Sequence, residues 1–98
     1  LGCTVYFGTD NCMFVPPDLF SELAFAHFVY RQHPKSLLHA AVAGSRLAGA
    51  PSFIRPGAPA RLLVIDPARS GLRFSRDPVG SLVKRAQSGM IHNNVFNW

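Results

Sequence analysis

The sequence predicts a small α+β domain, and three observations carry that prediction. Short β-branched and aromatic runs are bounded by turn residues, apolar residues recur at helical spacing between those runs, and a proline-marked connector separates the two halves. The expected architecture is one domain over residues 1–98, with two β-hairpins, two to three short helices and an extended Pro-rich connector.

Cys3-Thr-Val-Tyr-Phe-Gly8 has strand composition, Thr9-Asp10-Asn11 is turn chemistry, and Cys12 to Val15 is apolar again, so the chain opens as a hairpin that stops at Pro16-Pro17. Asp18 or Ser21 caps the next segment. Phe20, Leu23, Ala24 and Phe28 then fall at helical spacing, which predicts an amphipathic helix over 19–32 ended by His33-Pro34. A second helix is expected over 36–47, with Gly49 as its stop. Residues 48–60 carry Pro51, Pro56, Gly57 and Pro59 and read as an extended connector, unusual in holding Phe53 and Arg55.

The second hairpin is predicted from residues 61–66 and 72–76 flanking Pro67-Ala-Arg-Ser-Gly71. Strand alternation there places Leu72 and Phe74 on one face and Arg73 with Ser75 on the other, which makes Phe74 a core residue. Asp77 and Pro78 supply a cap and a first helical position for a short helix running to Ser88. Residues 90–98 end in Phe96 and Trp98 and read as a docking tail.

Composition bounds the function. Among 98 residues, 48% are hydrophobic and 15% charged, against a usual charged share of about 25%, so the chain is short of the groups that keep a monomer apart from its neighbours. The net charge of +5 comes from eight arginines and two lysines set against five carboxylates. Arginine's planar fork suits phosphate and carboxylate, while a GC-rich coding bias produces the same excess of Arg, Ala, Gly and Pro. No apolar run reaches the ~20 residues of a membrane span. A start at Leu1 without Met is read as the mark of a longer precursor, and with the basic charge it leads to an expected organellar location, a mitochondrion ahead of a plastid.

Few residues are available for catalysis. Asp10-Asn-Cys12-Met-Phe is similar to the string around the nucleophile of papain-like and ubiquitin-removing cysteine proteases, where an Asn or Gly precedes the Cys and a large apolar residue follows. The resemblance implies Cys12 as nucleophile and His92 as its base, in a cysteine hydrolase of viral-polyprotein type. Those enzymes begin a long helix at the Cys, whereas Val15-Pro16-Pro17 forbids one here. Cys3 and Cys12 are otherwise expected to be small buried apolar residues. His27, His33 and His39 stand six residues apart across Pro34, the wrong spacing for helical metal ligands, so neither metal nor cofactor is expected. Glycine-rich phosphate loops and Gly-x-Ser-x-Gly are absent.

The leading expectation is a non-catalytic accessory subunit of a large assembly, held to its neighbours by arginine and aromatic contacts. Arg69, Arg73, Arg76, Lys84 and Arg85 form the candidate surface for a protein partner or RNA. Arg55 joins them, and Phe53, Phe96 and Trp98 are the candidate anchors.

Overall fold

The structure, a computed structural model, describes residues 2–10, 13, 17–49 and 53–96, with residues 70 and 92–96 described by their backbone alone. Four α-helices and one pair of strands make up its regular structure, joined by two short 3-10 segments.

Helix α1 spans Leu19–Tyr30, and Asp18 caps it by accepting from the Phe20 N–H at 3.0 Å and from the Ser21 hydroxyl at 3.1 Å. It stops where Arg31 turns left-handed at φ 55°, before the His33-Pro34 boundary is reached. Helix α2, Pro34–Ala43, starts directly behind with His33 as its cap and Pro34 in the first turn, then tightens into a 3-10 segment, Gly44–Ala48, ended by left-handed Gly49.

Strand β1 is Arg61–Ile65. Directly after it, the Asp66 side chain accepts from the Ala68 N–H at 2.9 Å and Pro67 opens a single helical turn, α3, Pro67–Ser70, closed by left-handed Gly71. Helix α4, Pro78–Arg85, repeats that grammar, with Asp77 accepting from the Gly80 N–H at 3.1 Å. A Cβ on Gly80 would collide with the Asp77 carboxylate, so the missing side chain is what lets the cap close.

The α+β arrangement with two hairpins is corrected by these elements. In the first half, described residues 2–10 form no strand. Only Phe7 of that stretch packs against the core, and without a buried face β-propensity has nothing to act on. Asp10 does adopt the left-handed turn conformation at φ 55°, while the returning arm, residues 12 and 14–15, lies outside the described residues. In the second half, the segment read as a hairpin turn is α3, because Asp66-Pro67 and Gly71 are a helix start and stop. Leu72 to Arg76 follow as turns, without strand structure.

The partner of β1 is β2, Ile91–Phe96, antiparallel, with Leu62 opposite Val95, Val64 opposite Asn93, and a bulge before Ile65 meets Ile91. The Asp66 N–H extends the pairing to the Met90 carbonyl at 3.0 Å. Residues 91–96 of the segment read as a docking tail thus form half of a long-range strand pair.

Helices α1, α2 and α4 pack against one another around Leu23, Ala26, Leu37 and Val83. Leu23 is 2% exposed and Val83 wholly buried, with Phe20, Leu38 and Ala41 at the edge of the cluster. Among the described residues, four of the seven buried apolar ones are alanines (Ala26, Ala40, Ala43, Ala86), so the helices pack while removing little apolar surface from water.

Candidate interaction surface

The basic surface is built from three consecutive elements. Arg69 comes from α3, Arg73 and Arg76 from the turns that follow, and Lys84 with Arg85 from the last turn of α4; all five are exposed. Hydrogen bonds fix the turns at both ends. On the α3 side, the Leu72 and Arg73 N–H groups donate to the Pro67 carbonyl at 3.1 and 3.2 Å. On the α4 side, the Ser75 hydroxyl meets the Ser81 hydroxyl at 2.6 Å and accepts from the Asp77 N–H at 3.2 Å. Between them the Ser75 N–H closes a tight turn onto the Leu72 carbonyl at 3.1 Å. The Arg85 guanidinium reaches back to within 3.8 Å of the place a Cβ on Gly71 would occupy, which puts it beside the end of α3.

At the tip of that turn stands Phe74, 89% exposed, with the Arg73 guanidinium 5.5 Å from its ring centre. This overturns the core assignment for Phe74: no strand forms, so alternation does not apply, and Arg73 and Phe74 share one surface. Local carboxylates are occupied. Asp77 caps α4, and Asp66, half-buried, caps α3 while lying 3.9 Å from the exposed Arg69.

A second surface is apolar, and sequence reasoning missed it. Phe25, Phe28, Val29 and Tyr30 on α1 are all exposed, with Phe25 edge-on to Tyr30 at 5.8 Å between ring centres. The available signal was the near absence of polar residues from the helix: Ser21, Glu22 and His27 are its only clearly polar members, so it is apolar around most of its circumference. Phe28, assigned to the buried stripe, belongs to this outer face. His27 is half-buried and meets the Gln32 carbonyl at 2.9 Å through Nδ1, a structural contact at the helix end.

The remaining sequence-derived candidates are scattered. Phe53 folds back onto α2, its ring 5.0 Å from that of His39, and Arg55 is exposed two residues on. Cys3 is exposed, which corrects its reading as a buried apolar residue. Cys12 and Trp98 lie outside the described residues, and His92 and Phe96 are placed only as backbone within β2. Among the described residues no cluster of His, Cys, Asp or Glu is suited to a metal ion, and no helix is long and apolar enough to cross a membrane. Comparison with protein families, curated proteins and solved structures finds no match to this chain.

Proposed function

We propose that the chain is a non-catalytic accessory subunit of a larger assembly, held by its apolar face and its arginines. The observation that carries this reading is an inverted distribution of large apolar side chains. Among the described residues fourteen are exposed, whereas Leu23, Leu37 and Val83 are the three that are buried. Scattered exposed apolar residues are ordinary, but Phe25, Phe28 and Val29 side by side on α1, with the Tyr30 ring against Phe25 at the helix end, have the composition of an interface core. Phe53 with Arg55 extends the set of contacts available to a neighbour, and the basic surface of α3 and α4 adds groups that pair with phosphate or carboxylate.

Size-exclusion chromatography with light scattering on the isolated chain, in low and high salt and with and without nuclease, tests this reading. Self-association that persists in high salt is expected, because apolar contacts are insensitive to screening. A chain that remains a soluble monomer under every condition overturns it.

A further inference from the structure

We propose that the Arg73–Phe74 turn is a binding site for single-stranded nucleic acid, with the Phe74 ring stacking a base and Arg69, Arg73, Arg76, Lys84 and Arg85 contacting the flanking phosphates. The inference deepens the subunit reading by naming the occupant of its basic surface, and it rests on that surface being open in the free chain.

Three observations converge on it. First, the charge is concentrated. Six of the ten cations and two of the five carboxylates fall in residues 61–98, so this stretch carries +4 of the net +5, and both of its carboxylates serve as helix caps. Second, Phe74 is presented rather than left over. Its turn is closed by the Ser75-to-Leu72 bond, tied to α3 through the Pro67 carbonyl and to α4 through the Ser75–Ser81 bond, and it still leaves the ring 89% exposed. A Phe at the tip of a hydrogen-bonded turn gains nothing for the core and presents its ring to solvent. Third, Arg73 lies over that ring at 5.5 Å, and Arg76 and Arg85 belong to the same knot of chain. An aromatic platform beside cations is the combination that single strands require, since every base has a face to stack and every nucleotide a phosphate to neutralise. An acidic protein surface would use the arginines but has no need of the ring. A duplex keeps its bases stacked internally and offers Phe74 nothing.

The test uses the full chain and a fluorescently labelled oligouridylate of about 12 nucleotides, within the ~4–16 that a small single-strand-binding module covers. Binding is read by anisotropy and compared with an abasic strand of equal length and with polyglutamate as competitor. Stacking is expected to make the oligouridylate bind about five- to 150-fold more tightly than the abasic strand, and Phe74→Leu is expected to remove that difference while Phe74→Tyr keeps it. With four to five phosphates neutralised, the logarithm of affinity should fall with the logarithm of salt at a slope near −3. Equal affinity for the base-bearing and abasic strands, or an unchanged Phe74→Leu variant, overturns the stacking site. Displacement by polyglutamate as effective as by unlabelled oligouridylate assigns the surface to an acidic protein instead. Phe74 is too exposed for its replacement to unfold the chain, and circular dichroism of each variant checks this. Tight, base-dependent binding by a monomer would keep this site and discard the subunit reading; an associating chain that ignores oligouridylate would do the reverse.

Discussion

Asp77 has three functions at one position: it accepts from the Gly80 N–H, sets the start of the helix that buries Val83, and stands at the foot of the Phe74 turn through its own N–H bond to the Ser75 hydroxyl. Removing the carboxylate in Asp77→Ala leaves the Gly80 N–H without its acceptor, at a cost of about 1 kcal/mol. Thermal denaturation should record this as a melting temperature lower by about 4–8 °C, the usual response of a domain of this size. An unchanged melting temperature would show that water replaces the cap at no cost. Single residues were legible in the sequence when their effect is local. Asp18, Asp77-Pro78 and Gly49 act on the next few peptide groups, and each does in the structure what its chemistry dictates. Phe74 was not legible, because its assignment to the core depended on a strand that does not form.

At the scale of elements, the same distinction separates β1 from β2. Arg61 to Ile65 is rich in branched apolar residues and could be recognised alone, whereas Ile91-His-Asn-Asn-Val-Phe96 holds two central asparagines and becomes a strand only because β1 lies beside it. Pairing across such a sequence separation leaves no local mark, and without it Asp66-Pro67 and Gly71 between two apolar runs have the same local chemistry as a hairpin turn. Helix α1 carries the opposite lesson: its existence was plain, but its outward face was not, since an apolar helix has no polar side to show which way it turns. Replacing both Phe25 and Phe28 by Ser should abolish self-association of the chain while leaving its melting temperature within a few degrees of wild type, because neither residue is in the core. A large fall in melting temperature would instead make this face part of the fold.

For the whole molecule, apolar and basic character divide along the chain. Among the described residues, eleven of the fourteen exposed large apolar ones precede residue 60, and that part of the sequence carries a net charge of only +1, the remaining +4 following. That division was half legible: the charge could be counted, but the exposure could not, since composition does not say which apolar residues a core will accept. The core accepts few. A chain of 98 residues ordinarily has about 5–15 kcal/mol of stability, and truncating a buried leucine costs about 2–5. Leu23→Ala is therefore expected to destabilise α1, α2 and α4 together, seen as a melting temperature lower by about 8 °C or more. Retention of a sharp transition at nearly the wild-type temperature would mean that the bundle has support beyond this cluster.

Val83 closes a core whose other walls, Leu23 and Leu37, lie far ahead of it in the chain. On a ribosome adding about 5–20 residues per second, roughly 2–8 seconds separate completion of α2 from the emergence of α4. Throughout that interval the first two helices have both their inner and their outer apolar faces uncovered, so the nascent chain is at its most adhesive before α4 exists. A factor that shields α1 during synthesis would meet the same phenylalanines that the proposed neighbour would cover, and assembly while still on the ribosome would leave them in water for the shortest time.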